Sequence, residues 1–417
     1  MSGVRVLLTE GSSLTSREVL TCLGPAGHHI EVLDPAALCL ARFSRWTRRV
    51  HRCPGGAGDP AGYLRALQAV VVEREIDVVL PTHEQAWLLA AALPQLADGV
   101  RVAVADADAF AQVQSKLAFA QLLDRLGLPQ PAWRTVAGAS DLTDLPFPYW
   151  LKAAFSTAGQ GVREVVDEAS RDLAFASPAL GASGMPLMAQ APASGQYGQV
   201  QGLFDRGRLI AVHTSVQRGT GVGGSAAARL SVDHPIAREH IATIGESLGW
   251  HGGLTLDYLH EGGLPVYLEC NPRTVEPGNA AASGVNLPDL QVRLTLGEHR
   301  PGPPIAGRAG VRTHGTIALL LGAASRGRSR GWLMRDMLAS LAGRGVYSGS
   351  AEQLTPLRRD PPSVAAAAFV AARLLVSPRA ASDIAGRSVA SYSVDPDTVS
   401  GVGVTSAPDP REASRSA

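Results

Sequence analysis

The residues best suited to chemistry end an apolar stretch in the second half of the chain. Glu269 and Asn271 are two positions apart, so on a strand their side chains point to the same side. A carboxylate and an amide oxygen on one face, next to Arg273, suit a hard cation that bridges phosphate oxygens. Asp257 lies on the preceding apolar segment and comes beside Glu269 if the two segments pair as strands. These residues predict a site for Mg²⁺, with an ordinary hairpin whose polar residues face solvent as the alternative.

Two lysines form a second set of candidates in a chain that is poor in lysine. Lys152 follows an apolar run and precedes the Gly/Ser/Thr-rich loop 156–161, where glycines let the backbone approach phosphate and the lysine adds a point charge. Lys116 begins a predicted helix, where its charge opposes the helix dipole unless an anion lies nearby. The chain has no GxxxxGK[ST] motif, so the loop is not a Walker A loop, and a flexible hairpin turn is the alternative interpretation.

Alternating strands and helices must position these residues. Apolar strands are predicted at 4–8, 29–33, 76–81 and 100–104, with helices at 16–23, 64–75 and 87–96 between them. This alternation predicts parallel βαβ units and a Rossmann-like layer over residues 1–108. The Gly11-Ser12-Ser13 stretch after the first strand is not GxGxxG, which favours a tight strand-to-helix turn over a dinucleotide site.

A second unit is predicted over residues 109–302. A helix over 116–127 ends in a glycine followed by prolines, a strand over 149–153 carries Lys152, and strands at 253–259 and 265–270 form a hairpin. Beyond them the composition shifts towards Arg, Gly and Pro, so we place a boundary near residue 303. Residues 303–394 are expected to form an α/β subdomain with a strand at 313–321 and a helix at 364–375, and residues 395–417 a disordered tail.

The composition narrows the class of partner. Lys+Arg is 38 and Asp+Glu is 37, a net charge of +1 that gives no electrostatic footprint for nucleic acid or an acidic membrane. Four cysteines without CxxC spacing argue against a zinc site or a disulfide framework. The N-terminus lacks the long apolar region of a signal peptide, and no stretch approaches a membrane span. We therefore expect a cytoplasmic protein with small-molecule partners.

The order of the motifs resembles the ATP-grasp superfamily, on its carbamoyl-phosphate synthase and biotin carboxylase side, with its free-standing carboxylate–amine ligases. The resemblance rests on Ser115-Lys116 before a helix that ends in Gly-Leu-Pro-Gln-Pro, on Lys152 with its Gly-rich loop, and on the segments 253–257 and 268–273. It implies an α/β and α+β structure, the ATP-grasp fold, with an N-terminal Rossmann-like pre-ATP-grasp domain. It further implies a lid subdomain near residues 130–192, a large metal-binding subdomain and a C-terminal extension.

The resemblance also implies roles for individual residues. The implied ATP contacts are Lys116, Lys152, Ser156, Thr157, Gly159, Gly161, Gln190, Ala191, Pro192 and Gln196; the implied Mg²⁺ (or Mn²⁺) ligands are Asp257, Glu269 and Asn271; and Arg273 and Arg218 are implied to stabilise the transferred phosphoryl group and the acyl-phosphate. The family hinge usually has Gln-Glu and a further glutamate for the ribose hydroxyls. Here Ala191 follows Gln190, and Gln196 or Tyr197 takes the downstream position, so the means of holding the ribose stays open.

The activity that the resemblance implies is that of an ADP-forming ligase. ATP phosphorylates a small carboxylic acid, and an amine such as an amino acid or a peptide attacks the acyl-phosphate and expels phosphate. The alternatives are a ligase or carboxylase-type enzyme with a different nucleophile, although the chain has no biotin-carrier motif, and a non-catalytic nucleotide-binding module. His213, His251 and His314 are candidates for the substrate pocket, with a structural role as the alternative for each. A homodimer is compatible with these observations.

Overall fold

The N-terminal residues form a parallel sheet with helices on both faces, as the alternation of apolar segments predicted. In this computed structural model, which describes residues 3–156, 159, 161–181, 184–299, 301–394 and 396–403, the strands are β1 (Arg5–Leu8), β2 (His29–Asp34), β3 (Thr47–Arg52) and β4 (Val78–Leu80), in the spatial order β3-β2-β1-β4. Helix α1 (Leu14–Leu23) packs on one face, and α2 (Pro60–Glu73) and α3 (Gln85–Ala92) pack on the other. Strand β3 was not predicted, and the segment 100–104, predicted as a strand, is not one.

The turn after β1 is closed by a carboxylate of the protein itself. Glu10 is fully buried and accepts the backbone N–H groups of Ser12 at 2.7 Å and Ser13 at 2.8 Å. Asp34, at the end of β2, accepts the N–H of Gly11 at 2.7 Å. In dinucleotide-binding folds the N–H groups at this helix start face a phosphate. Here they are occupied by acidic side chains, in agreement with the predicted tight strand-to-helix turn.

Two short helices lead from this sheet to the lid. They are α4 (Ala107–Gln114) and α5 (Lys116–Leu126). The Ser115 hydroxyl caps the start of α5, and Gly127 ends it with a φ of 63°, in the left-handed region that glycine adopts without strain. The predicted helix over 116–127 is therefore confirmed, and Lys116 occupies its first position.

The segment for which the resemblance implies a lid contains a small antiparallel sheet with its own core. Its strands β5 (Trp133–Val136), β6 (Tyr149–Ala153), β7 (Val162–Val165) and β8 (Leu187–Gln190) lie in the order β5-β8-β6-β7, and α6 (Glu168–Ala176) packs against them. The apolar side chains of this core all come from residues 136–189. The predicted strand over 149–153 is confirmed as β6, which presents Lys152.

The central sheet carries the second half of the candidate site. Its strands are β9 (Gln196–Asp205), β10 (Arg208–Thr220), β11 (Ala226–Ser231), β12 (Gly252–Glu261), β13 (Leu264–Asn271), β14 (Ile305–Ala306), β15 (Arg312–His314) and β16 (Ala351–Glu352), with helices α7 (Pro235–Ser247), α8 (Gly278–Ala282) and α9 (Leu287–Thr295) packed around them. The order is β13-β12-β9-β10-β11-β15-β16, with β14 paired to β10. Strands from beyond residue 303 therefore complete this sheet, and the predicted boundary falls inside it.

The C-terminal residues are mainly helical. They form α10 (Thr316–Ser325), α11 (Arg330–Leu341), α12 (Ser363–Val376), α13 (Ala380–Tyr392) and α14 (Pro396–Gly403). The predicted helix at 364–375 is confirmed as α12, whereas the strand predicted at 313–321 is wrong, because β15 ends at His314 and α10 follows. Residues 317–324 of α10 are buried on all sides, so the run shows no helical periodicity that would distinguish it from a strand.

The last described helix, α14, packs on the N-terminal domain. Val402 is buried among the side chains of α2 and α3, and the Gln95 side chain donates to the Val402 carbonyl at 3.0 Å. A disordered tail from residue 395 was predicted, and for residues 396–403 that prediction is wrong because their apolar side chains reach a core. Among the described residues, no helix is long and apolar enough to cross a membrane.

Candidate functional site

Two carboxylates face each other across the β12–β13 hairpin. Asp257 is paired directly with Glu269, and Thr255 with Asn271, so the predicted pairing is confirmed. The hairpin closes through Gly262 and Gly263, whose φ angles of 58° and 93° lie in the left-handed region. Burial and, to a smaller extent, the negative charge of Glu269 raise the pKa of Asp257 to about 6. A cation bound between the two carboxylates would relieve this repulsion.

Polar side chains of the central sheet hold Asp257 in place. Gln199 on β9 donates to Asp257 Oδ1 at 2.8 Å, and Asn271 donates to Asp257 Oδ2 at 3.1 Å. The Tyr197 hydroxyl also hydrogen-bonds Asp257. The donor set is thus two carboxylates and an amide, the oxygen ligands that Mg²⁺ accepts. Within the described ranges, no group of three or more His, Cys, Asp or Glu residues is arranged to hold a metal.

Both lysines of the chain lie beside this acid pair. Lys116 and Lys152 are the only two lysines among its 38 basic residues. Lys116 Nζ is 3.7 Å from Glu269 Oε2 and donates to the carbonyl oxygen of Ser156 at 3.0 Å. Lys152 Nζ donates to Gln190 Oε1 at 2.5 Å. The pKa of Lys152 is lowered to about 8. Burial is the main cause; the nearby negative charge of Glu269 opposes the decrease, and the positive charge of Lys116 adds to it.

The described residues of the segment 156–161 begin beside Lys116 and end at the edge of β6. The Ala153 amide donates to the Gly161 carbonyl at 2.8 Å, which returns the loop to the edge of β6. A Cβ at Gly161 would lie 2.6 Å from the Ser156 Cβ, closer than real Cβ atoms approach. Gly159 adopts a φ of 72°. Both glycines are therefore required by the backbone path, while Thr157 lies outside the described residues.

The acid pair opens into a cleft of about 170 Å³ between the N-terminal domain and the central sheet. Lys116, Ser156, Asp257, Glu269, Asn271 and Arg273, all predicted from the sequence, line it together. Lys152 reaches the same group through its charge interaction with Glu269. The structure thus brings the predicted metal ligands, both lysines and Arg273 to one place.

Several predicted residues do not line this cleft in the described part of the chain. Arg218 is exposed on β10. The Gln196 side chain donates to the Gln217 carbonyl at 3.1 Å, whereas its neighbour Tyr197 faces Asp257. The Ala191 amide donates to the Ala132 carbonyl at 2.8 Å, and Pro192 follows it. The contacts of Gln196, Ala191 and Pro192 with a bound nucleotide, and of Arg218 with the acyl-phosphate, remain predictions.

Four ionisable residues of the cleft were missed by the sequence analysis. Arg229 on β11 pairs with Glu276 at 2.8 Å, and both side chains are largely buried. Glu276 has a φ of 45°, a left-handed backbone conformation that costs energy for a non-glycine residue. His83 and Glu84 enter from the loop after β4. An arginine within the apolar strand Ala226–Ser231 was the one sequence signal that pointed to this wall of the cleft.

None of the three histidines predicted for the substrate pocket lines the cleft, whereas a different histidine does. His213 is buried and bonds Asn279 at 2.8 Å, and His314 bonds Ser350 at 2.8 Å. These two and His251 lie outside the lining of the cleft, whereas His83 is part of it. Burial lowers the pKa of His83 well below its ordinary value, and the positive charge of Arg273 lowers it further. The imidazole of His83 is therefore neutral at physiological pH.

Comparison with solved structures identifies the fold. The chain is similar to carboxyaminoimidazole ribonucleotide synthase from Aspergillus clavatus complexed with ATP, with 16% identity over 92% of this chain and 99% of that one and a TM-score of 0.61. It is also similar to the biotin carboxylase domain dimer of Hydrogenobacter thermophilus 2-oxoglutarate carboxylase in complex with MgADP, ADP and bicarbonate, with 14% identity, coverage of 75% and 74%, and a TM-score of 0.59. The chain has the ATP-grasp fold.

Sequence comparison gives a match to part of the chain. No protein-family model matches the chain. The large chain of carbamoyl phosphate synthase from Gemmatimonas aurantiaca is 26% identical over 220 residues, which are 49% of this chain and 20% of that protein. The chain thus spans about a fifth of the length of this curated relative. An L-amino acid ligase from Bacillus licheniformis has the same fold at 15% identity, with coverage of 72% and 78% and a TM-score of 0.52.

Proposed function

We propose that this protein is an ATP-dependent ligase that activates a small carboxylic acid as an acyl-phosphate and joins it to an amine, with release of ADP and phosphate. The observation that carries the proposal is the group formed by the Asp257–Glu269 pair and the two lysines of the chain. Facing carboxylates suit a divalent cation, and buried ammonium groups beside them suit the phosphates that such a cation accompanies. The ATP-grasp fold and its solved relatives with bound ATP or ADP support the same nucleotide.

In this proposal the nucleotide lies between the lid and the central sheet. Lys152 and Lys116 bind its phosphates, and Ser156 to Gly161 covers them and excludes water. Asp257, Glu269 and Asn271 hold Mg²⁺, which when bound neutralises phosphate charge and orients the γ-phosphate. Asp257 is held for this role by Gln199 and Tyr197. The protein therefore contributes positioning and charge, and needs no covalent nucleophile.

Arg273 is placed to act on the reacting groups. It is buried at the cleft wall directly after the metal-binding strand β13. In the described structure its Nε atom is buried without a hydrogen-bond partner, although a buried guanidinium N–H costs free energy when it is left unsatisfied. A carboxylate or an acyl-phosphate oxygen would satisfy it. We assign to Arg273 the binding of the substrate carboxylate and the stabilisation of charge as the phosphoryl group is transferred.

ADP release tests this proposal. A panel of carboxylic acids crossed with amines, including amino acids and dipeptides, is incubated with Mg-ATP, and ADP is measured with each substrate present and omitted. The proposal expects ADP formation that depends on one acid and one amine together. Nucleotide binding without ADP release across the whole panel would instead favour a non-catalytic module. ADP release that depends on an acid and a nucleophile other than an amine would identify a different ligase.

Two variants test the site itself. Glu269→Gln and Lys152→Ala are each expected to lower kcat/KM by at least about 100-fold, the scale on which one transition-state contact acts. Glu168→Gln, a neutral change at the exposed start of α6, is the matched control and is expected to leave the rate unchanged. Circular dichroism and thermal unfolding establish that each variant is folded. Near-normal turnover by either site variant would refute the assignment.

A further inference from the structure

The near-zero net charge of the chain conceals a strong division of charge. Residues 303–394 contain 12 arginines, no lysine and four acidic residues, whereas the whole chain has a net charge of +1. Three of those acids are engaged inside the fold: Asp336 accepts the Tyr347 hydroxyl, Glu352 accepts Thr316, and Asp360 pairs with the buried Arg17. Asp383 is the fourth and is exposed. The surface of this segment is therefore strongly positive, although the chain as a whole is balanced.

The same segment concentrates the exposed apolar side chains. Of 15 large hydrophobic residues exposed in the described structure, eight lie between residues 332 and 376. On α11, Met334, Leu338 and Leu341 follow helical spacing and are 54%, 61% and 84% exposed. On α12, Phe369 and Val376 are 64% and 70% exposed and lie two turns apart. Each helix thus presents an apolar stripe to solvent in addition to the one that it buries.

The two stripes lie side by side. Leu333 of α11 and Val370 and Leu374 of α12 enter the same core as α10, so both helices pack on α10 with their inner sides. The Arg330 side chain donates to the Val376 carbonyl at 2.5 Å, which places the start of α11 beside the end of α12. The outward stripes therefore form one surface, which we call the α11–α12 face.

Arginines border the α11–α12 face. Arg335 and Arg373 are exposed on the two helices themselves, and Arg344 is exposed just beyond the end of α11. The Arg328 guanidinium lies over the Trp332 ring at 5.5 Å from its centroid. A second copy of the chain placed on this face by a twofold axis would bring these arginines against their own copies, which like-charge repulsion opposes. The charge of the face favours an anionic partner.

We propose that the α11–α12 face binds the surface of an anionic phospholipid bilayer. Its apolar side chains protrude, being more than half exposed, rather than line a groove that could receive a helix. Protruding Leu, Met, Phe and Val side chains flanked by arginine and tryptophan suit insertion at the boundary between headgroups and acyl chains. Each arginine near an anionic surface strengthens binding about five-fold.

Vesicle sedimentation of the full chain tests the proposal. Vesicles of phosphatidylcholine with about 30% phosphatidylglycerol are compared with pure phosphatidylcholine at low salt and at about 0.5 M NaCl. We expect binding to the anionic vesicles at low salt, release at high salt, and little binding to the neutral vesicles. The variant Arg335→Glu/Arg373→Glu is expected to reduce partitioning at least ten-fold, and Leu338→Ser/Phe369→Ser by a similar factor. Matched controls, Arg48→Glu/Arg49→Glu on β3 and Leu38→Ser, are expected to bind as the unchanged protein does.

Several results would overturn the proposal. Absence of binding to the anionic vesicles at low salt is one, and equal binding by the face variants and the unchanged protein is another. A dimer in solution that Leu338→Ser/Phe369→Ser converts to a monomer would show that a second copy covers the face, and would refute membrane binding there. Because these residues lie away from the cleft, ADP release by the face variants is expected to be unchanged. Failure of the membrane proposal would therefore leave the proposed ligase activity unaffected, and failure of the ligase proposal would leave vesicle binding unaffected.

Discussion

Trp87 of α3 stacks on Phe155, the residue directly before the segment 156–161. The ring centroids are 5.5 Å apart and the ring planes differ by 6°. Trp87 is buried in the core that joins α3 to α4, α5 and the central sheet, whereas Phe155 is only partly buried against that core and leads into Ser156. The contact therefore connects α3 to the start of the segment 156–161, which we propose to cover the phosphates, and it fixes where that segment begins relative to Lys116.

Loss of this stack is expected to change KM for ATP more than it changes kcat. A stacked aromatic pair contributes about 0.5–1.5 kcal/mol beyond the area it buries, which corresponds to roughly a three- to ten-fold change in binding. Trp87→Leu is expected to raise KM for ATP by this factor with a smaller change in kcat. Trp133→Leu, which removes an indole bonded to Asp124 away from the loop, is the control. Equal KM values for ATP in the two variants would show that the stack does not position the loop.

A second connection joins the C-terminal residues to the cleft. The Val394 amide donates to Glu84 Oε2 at 3.0 Å in a buried position, and Glu84 lines the cleft. Val394 and Val402 are 7% and 3% exposed. Burial of each such side chain stabilises the folded protein by about 1.5–3 kcal/mol, so the end of the described chain holds α3 in place.

Truncation distinguishes this segment from the residues that follow it. Deletion of residues 394–417 is expected to lower the thermal midpoint clearly and to reduce activity, because it exposes the apolar side of α3 and frees Glu84. Deletion of residues 404–417 alone leaves α14 in place and is expected to change neither. Differential scanning fluorimetry and the ADP assay measure both effects. Identical melting of the two truncated proteins would contradict a stabilising role for α14.

The sequence predicted the parts of the site that depend on local rules. Residues 269 and 271 share a face because a strand has a two-residue period, and Asp257 meets Glu269 because the hairpin between them is short. Lys116 begins α5 because Ser115 caps the helix and Gly127 ends it. Each of these inferences needed only a few neighbouring residues.

The rest of the cleft depends on contacts between distant segments. Arg229 and Glu276 are 47 positions apart and meet only because β11 and the segment after β13 converge on one cleft. His83 and Glu84 reach the cleft from another sheet, through packing of the N-terminal domain against the central one. Periodicity along the chain carries no information on such encounters. The same limit explains why α10, a fully buried apolar helix, was predicted as a strand.

The Arg229–Glu276 pair is expected both to stabilise the fold and to affect the binding of the acid or the amine. Its side chains are 7% and 16% exposed, and removal of one partner from a buried pair costs about 3–5 kcal/mol. Arg229→Met is therefore expected to lower the free energy of unfolding by roughly this amount. Arg238→Met breaks the exposed pair with Asp233, 32% and 61% exposed, and is expected to cost less than about 1 kcal/mol. Chemical denaturation measures both, and equal losses would contradict burial of the first pair.

Glu276→Gln tests the selective role with a change of similar shape. The substitution removes a negative charge from the cleft wall while Arg229 stays in place, so binding of the non-nucleotide substrates changes and binding of ATP does not. We expect KM for the acid or the amine to shift several-fold, with KM for ATP within a factor of two. A change confined to KM for ATP would place Glu276 on the nucleotide side of the cleft.

The pKa of Lys152 gives the site a specific pH dependence. Burial lowers this pKa to about 8, and only the protonated lysine attracts phosphate. Lys152 is therefore charged below pH 8 and loses its charge as the pH rises through that value. The value of kcat/KM for ATP is expected to be flat below about pH 8 and to fall by up to ten-fold per pH unit above it. At saturating ATP this alkaline limb, the fall in rate with rising pH, moves to higher pH, because the bound phosphates stabilise the charged form of Lys152. Lys152→Arg, whose guanidinium stays protonated, is expected to lower the rate at neutral pH but to lack this limb. An alkaline limb that persists unchanged in Lys152→Arg would assign the titration to a different group.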